Sequence, residues 1–384
     1  MTSSHLFNIA MDSQYAAPPQ TPSASDDASR TFGTTTSTLE REELASGPSA
    51  AETVVVGQRA AAEGDGVPKL TGLPPLGGSD EPPDRPVIAV MGCVVQDIVV
   101  KPNGPLTANG STMSRIAFAP GGFGPNVAWT AALEGASVRF VGHAGADTVG
   151  AALTGALREV GIDVAVTHRG TTCCVLVLVE WDGQRTMAYD TSSFCLSAGD
   201  VTEEQLAGVS LLHLYENMFD DITADGAWKA VELVRRNGGL VSLDVGNIAR
   251  VQVVGREEFM KRVEKIAPEI LFANEEEAAA LWPEGNVSAP GLVVVKHGPL
   301  PSVVYAADGQ ELLTVHVPPV PEVVDTTGAG DAMAGGFLAA WASGSSLEEA
   351  VQSGHRTAGA VVSQLGAQLP SDWLPSRPAA RSPR

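Results

Sequence analysis

Residues 325–331, Asp-Thr-Thr-Gly-Ala-Gly-Asp, limit what this chain can fold into more than any other stretch. An apolar run from Leu312 to Val324 leads into them, and an apolar helical pattern from Ala332 to Trp341 leads out. Three small residues, Gly328, Ala329 and Gly330, let the backbone turn tightly and approach a ligand closely. A helix that starts there leaves its first amide N–H groups unpaired and turns the positive end of its dipole on the turn. That arrangement binds anions, phosphate above all. Asp331 falls in the first helical turn, beside the anion position. It has two readings. One is a helix cap. The other is a base that takes the proton from a hydroxyl as the oxygen attacks phosphorus.

The rest of the pattern is α/β. Val87 to Gly92, Val138 to Gly142, Leu211 to Tyr215, Leu240 to Asp244, Glu269 to Phe272 and Leu292 to Lys296 read as buried strands. Between them lie helical stretches: Thr148 to Val160, Thr202 to Leu206, Ala224 to Arg236 and Glu257 to Ile266. Leu347 to Leu365 closes the chain as a helix after Ala332 to Trp341. Strands alternating with helices imply a mainly parallel sheet covered on both faces, with ligands at the strands' C-terminal ends. Ile98 to Ala119 is extended, and Thr172 to Tyr189 reads as a hairpin turning at Asp182-Gly183. A second hairpin turns at Asp308-Gly309. Asp147 reads as a helix cap, and His143 as a structural loop histidine.

Several stretches resemble, in order from about Val87 to Pro370, the PfkB/ribokinase family of sugar and nucleoside kinases. Asp325 to Asp331 resembles its C-terminal signature, and Gly121-Gly122-Phe123-Gly124-Pro125-Asn126 its N-terminal Gly-Gly signature. Ala273-Asn274-Glu275-Glu276-Glu277 fits the family's Asn-x-x-Glu motif. The resemblance implies a ribokinase-like three-layer αβα fold with a small β-sheet lid, its segments near 98–119 and 170–192. It implies an ATP-dependent carbohydrate kinase that phosphorylates a hydroxyl, primary in the expected case, of a sugar or sugar-like substrate. Asp331 would be the base, and Gly328, Ala329 and Gly330 the anion hole. Asp97, Gly121, Gly122 and Asn126 would hold the acceptor. Asn274 and Glu277 would order Mg²⁺ through water, with Lys296, Gly298, Thr327 and His355 beside the nucleotide. Asp325 and Thr327 would help hold K⁺. The sequence departs from the pattern at Val95, where relatives carry Asn, and at Pro301, where they carry Gly. A nucleoside acceptor is the alternative, for which Phe118, Phe123, Tyr189 and Phe194 offer rings. A catalytically silent regulatory protein of the same fold is a third reading. A homodimer through the lid is expected from the same resemblance.

Composition bounds the remaining possibilities. The 384 residues carry a formal net charge of -21, which argues against nucleic acid and anionic membrane surfaces as partners. No apolar run is long enough to span a bilayer. Residues 1–85 are rich in Ser, Thr, Ala, Pro and Gly without periodicity and read as a disordered extension, with neither a secretory core nor an acid-poor transit pattern. The kinase domain is expected over 86–370, and a loose tail over 371–384. Cys93, Cys173, Cys174 and Cys195 form no Cys-x-x-Cys pair and read as reduced thiols, in the core or near the site, of a cytoplasmic protein.

Overall fold

A computed structural model of the chain describes residues 86–179, 185–191, 193–220 and 223–375. The proposed extension, 1–85, and most of the proposed tail lie outside them, as does the turn at Asp182-Gly183. The elements run in order: β1 (Val87–Cys93), β2 (Val95–Pro102), β3 (Ser114–Gly121), α1 (Phe123–Leu133), β4 (Ser137–Ala144), α2 (Thr148–Glu159), β5 (Asp163–His168), β6 (Cys173–Val179), β7 (Arg185–Asp190) and β8 (Val209–Tyr215). They continue with α3 (Ala224–Arg236), β9 (Leu240–Asp244), α4 (Ile248–Val254), α5 (Arg256–Ile266), β10 (Ile270–Asn274), α6 (Glu275–Leu281), β11 (Leu292–His297), β12 (Leu300–Tyr305), β13 (Glu311–Val315), α7 (Ala329–Ala342) and α8 (Leu347–Val362).

The large sheet has the order β13-β12-β11-β10-β9-β8-β1-β4-β5. Strands β11 to β5 along this order are parallel, and β12 and β13 add an antiparallel edge. Alternation along each strand divides the core. Ile88 and Val90 of β1 point into a layer made with α1, α2, α7 and α8. Ala89 and Met91 point into the opposite layer, made with α3 to α6. Both faces of a parallel sheet must be covered, which is why these strands read as continuous apolar runs. Each buried Val, Leu or Ile contributes about 1.5–3 kcal/mol relative to exposure. The strand order turns back between β1 and β8, and open sheets of this kind hold ligands at that point.

The second sheet is small, with the order β3-β2-β6-β7. Its inner face carries Asp97 of β2, and the row through Asp97 runs Ala119, Asp97, Val175, Tyr189. The neighbouring row, Phe118, Ile98, Leu176, Ala188, belongs to the opposite face.

Two differences from the sequence reading have local causes. Thr202 to Leu206 is a series of turns. Thr202 N–H donates to Gln205 Oε1 at 2.8 Å and Gln205 N–H to Thr202 Oγ1 at 3.2 Å, the reciprocal pair of a helix start, but Gly208 at φ 72 turns the chain before a helix can follow. Strand β5 and helix α4 have no counterpart in that reading. α4 is rich in β-branched residues, which weakens its helical signal, and starts where the Asn247 side chain accepts from Ala249 N–H at 2.8 Å. Among the described residues no helix is long and apolar enough to cross a membrane.

Candidate active site

The site begins where two helix starts meet. Asp331 is the third residue of α7, whose N-cap is Gly328, and no side chain caps that end. The Asp331 carboxylate instead reaches across to α1, where Asn126 Nδ2–H donates to its Oδ2 at 2.8 Å. Asn126 is itself buried, and its Oδ1 faces Gln368 Nε2 at 3.4 Å. Burial raises the Asp331 pKa to about 7, helped by Asp244 and Asp97; the Asn126 hydrogen bond and Lys296 act against that rise. A carboxyl poised near neutrality can exchange a proton at physiological pH.

The turn before α7 is held open for small residues. Gly328 has φ 74, and a Cβ there would sit 2.5 Å from the carbonyl oxygen of Ala367. At Gly330 a Cβ would come within 3.4 Å of Lys296 Nζ, so an ammonium borders the turn. Lys296, next to last in β11, donates to Asp244 Oδ2 at 2.8 Å. Asp244 ends β9. Burial opposes the lysine charge, but Asp244 and Glu277 outweigh it and raise its pKa.

Asn274 and Glu277 close a reciprocal helix cap. Asn274 N–H donates to Glu277 Oε2 at 2.8 Å, and Glu277 N–H donates to Asn274 Oδ1 at 2.9 Å. The cap orients the pair, and Glu277 stays buried close enough to Asp244 and Lys296 to feel both. Burial raises its pKa to about 7.

On the small sheet, Asp97 lies against Gly121, leaving no room for a side chain there. Burial and then the charge of Asp325 raise Asp97 to about 6. Asp325 joins two loops: its Oδ1 accepts from Thr327 N–H at 2.9 Å and its Oδ2 from Gly366 N–H at 3.2 Å. Gly122 has φ 101, and a Cβ on it would meet the carbonyl oxygen of Cys93 at 2.6 Å, so the Gly-Gly turn lies directly on the end of β1.

Not every expected residue joins this cluster. Gly298 sits in the tight turn between β11 and β12 at φ 58. His355 is buried between α8 and β12, with Nε2 on Ser302 Oγ at 2.8 Å. Phe118 belongs to the outer face of the small sheet and is 70% exposed, so it cannot stack on anything held by Asp97. Phe123 packs on Tyr215, ring centroids 5.2 Å apart. Two residues near the site, Asp244 and Tyr215, read from sequence only as the ends of strands. Asp244 had a weak signal, an acid closing the predicted strand from Leu240. Tyr215, beside Gly92 and electrostatically coupled to Asp331, had none.

Among the described residues no three acids, histidines or cysteines gather to hold a metal by themselves, so the residues present suit a magnesium ion that arrives on a phosphate-bearing nucleotide and needs one or two protein oxygens. Asp97, Asp244, Glu277, Asp325 and Asp331 share the neighbourhood with one lysine, and cations delivered with a ligand would offset that excess. Their oxygens are the hard donors magnesium prefers. No side chain caps the α7 N-terminus at Gly328, the kind of helix start that can receive an anion, although Ala329 N–H already donates to the Thr326 carbonyl at 3.3 Å.

The family model described as "pfkB family carbohydrate kinase" matches residues 86–374. The chain is 26% identical to the adenosine kinase of Schizophyllum commune over 285 residues, covering 66% of this chain and 82% of that one. It is 29% identical to the ribokinase of Bacillus subtilis over 301 residues, covering 73% of this chain and 94% of that one. The crystal structure of adenosine kinase from Sinorhizobium meliloti superposes with a TM-score of 0.64 at 24% identity, covering 74% of this chain and 96% of that one. With a family model spanning most of its length, a ribokinase-type fold and kinases among its relatives, the chain belongs to the pfkB carbohydrate kinase family and is a kinase.

Proposed function

We propose that the protein transfers the γ-phosphoryl group of ATP to a hydroxyl, a primary one, of a sugar or sugar-like acceptor, with Asp331 as the base. The observation that carries this reading is the Asp331 carboxylate, raised to about 7, hydrogen-bonded to Asn126 at the open N-terminus of α7. Asp97 and Asn126 hold acceptor hydroxyls over Gly121 and Gly122. Asp331 then accepts the proton of the attacking hydroxyl. The amides of Gly328 to Gly330, with the Lys296 ammonium, stabilise charge on the transferring phosphoryl group; such donors contribute about 3–4 kcal/mol each. A magnesium ion arriving with ATP would supply positive charge against the phosphate groups. Asn274, Glu277 and Asp244 are the oxygens that would hold it, directly or through water. A potassium ion held near Asp325 and Thr327 would offset the charge that Asp325 adds next to Asp97. Thiols kept reduced and a substrate such as ATP fit a cytoplasmic setting.

A nucleoside acceptor is the second reading. It is favoured by Tyr189, which is 73% exposed on the same face and in the same cross-strand row as Asp97. The outer face of the small sheet, with Ile116, Phe118 and Leu176 exposed, would pair with a second copy of the chain.

The test of the base is Asp331→Asn at saturating ATP and acceptor. Turnover should fall by about 10²–10⁴-fold. A loss smaller than about tenfold removes Asp331 from that role.

A further inference from the structure

After α8 the chain runs back over the site as a strap, residues 364–373. Its successive residues touch three parts of the site. Gly366 N–H donates to Asp325 Oδ2 at 3.2 Å. The carbonyl oxygen of Ala367 is the atom a Cβ on Gly328 would strike. Gln368 Nε2–H donates to Asn126 Oδ1 at 3.4 Å, a long bond. The next residue anchors the strap: the Leu369 carbonyl accepts from Trp129 Nε1–H at 2.8 Å, in the buried interior. Trp373 Nε1–H then donates to Glu134 Oε1 at 2.6 Å. Asn126 and Trp129 lie in α1 and Glu134 is its C-cap, so the strap follows that helix from near its start to its end. Gln364 Nε2–H braces it from within, donating to the Gln368 carbonyl at 2.6 Å.

We propose that Gln368 is a positioning residue for Asp331: by donating to Asn126 Oδ1 it fixes which end of the Asn126 amide faces the carboxylate. An asparagine amide carries an oxygen and a nitrogen at ends of nearly equal shape, so packing alone does not choose between its two orientations. Helix α1 sets where Asn126 sits, not which atom it points at Asp331. In the observed orientation Oδ1 faces Gln368, and Nδ2–H donates to Asp331 at 2.8 Å. Turned over, Nδ2 would oppose Gln368 Nε2, donor against donor, and Oδ1 would face Asp331. An ionised carboxylate only accepts, so the turned amide suits the protonated acid alone. Gln368 therefore disfavours the orientation that would keep a proton on Asp331. The anchors on either side, Gly366 on Asp325 and Leu369 on Trp129, hold it to that contact.

Asp244 of β9, Lys296 of β11, Asp97 of β2 and Tyr215 of β8 also act on the Asp331 charge. An uncharged replacement at Gln368 leaves all four in place. The effect on turnover rests on Asp331 being the base; the effect on its proton affinity does not.

The experiment compares Gln368→Met and Gln368→Leu with the native full chain, each also in an Asn126→Leu background. Gln368 is half-buried, and both replacements are close to it in size. The Asp331 carboxyl is titrated by ¹³C NMR without substrate, its signal assigned by its loss in Asp331→Asn. In parallel, kcat/KM is followed against pH with ATP and with D-ribose or adenosine as acceptor. Both midpoints should rise by roughly half a unit to one unit in the two variants. Neither replacement should move the carboxyl further once Asn126 is leucine, because Gln368 acts only through that amide. A carboxyl titration unmoved in both variants overturns the proposal, as does a shift of equal size in the Asn126→Leu background. A carboxyl shift in a protein that phosphorylates neither acceptor, or whose kcat/KM midpoint stays fixed, supports the positioning role and counts against Asp331 as base alone.

Discussion

Replacing Asn126 by leucine should move the pH dependence of the reaction without removing the base. Asn126 Nδ2–H donates to Asp331 Oδ2 at 2.8 Å and stabilises the ionised carboxylate. Leucine has nearly the same shape, so it deletes the donor without opening a path for water. A hydrogen bond to a charged group contributes roughly 1.5–3 kcal/mol, which at about 1.36 kcal/mol per pKa unit is a rise of roughly one to two units. The sign follows from the active form. Asp331 works as a base only when deprotonated, so in the native protein kcat/KM climbs about tenfold per pH unit below its pKa and levels off above it. With the native midpoint near 7, the variant's midpoint should lie one to two units higher. Well below both midpoints the variant should therefore be slower by a further factor of roughly ten to a hundred than it is on the alkaline plateau. The plateau difference that remains measures what Asn126 contributes to acceptor binding. The assay is kcat/KM for the acceptor over a wide pH range for both proteins. Superimposable midpoints would refute the claim that Asn126 tunes Asp331, whatever happens to the plateau.

Two other perturbations follow from the geometry. Gly328→Ala places a Cβ at φ 74 and 2.5 Å from the Ala367 carbonyl oxygen. It should destabilise the fold by at least about 1–2 kcal/mol in urea titration and lower turnover further by displacing the amides, so a native denaturation midpoint would contradict it. Ile116→Asp with Phe118→Asp places charge on the outer face of the small sheet and should convert a dimer to monomers by sedimentation; a native protein that is already monomeric removes the dimer reading.

Much of the architecture could be read along the chain because its causes are local. The strands of the parallel sheet are apolar on both faces, so β1, β4, β8, β9, β10 and β11 stood out as short hydrophobic runs. The turn into α7 was legible because small residues precede an apolar helical run, and Gly328 can take the positive φ it has here without steric cost. Asp147 was legible as a cap, and its Oδ1 does accept from Gly150 N–H at 2.8 Å. β5 and α4 were not legible. Their stability comes from the sheet edge and the core they pack on, and the residues of α4 favour strands when taken alone.

The chemistry divides along the same line. The sequence alone determined which small and acidic residues the chain carries and that a turn of glycines opens a helix, because backbone sterics and helix ends act within a few residues. Only the tertiary structure decided what the acids do. Asp331 could cap its own helix or reach elsewhere, and it is the packing of α7 on α1 that brings Asn126, 205 positions away, to its carboxylate. Lys296 meets Asp244, 52 positions away, because β9, β10 and β11 run parallel side by side, with Asp244 beside Phe272 and Lys296 beside Asn274 at their C-terminal ends. The pleat of the small sheet sends Phe118 outward and leaves Tyr189 facing the same way as Asp97. Charge, burial and hydrogen bonds between distant residues set a proton's affinity, and those distances exist only once the chain has closed on itself.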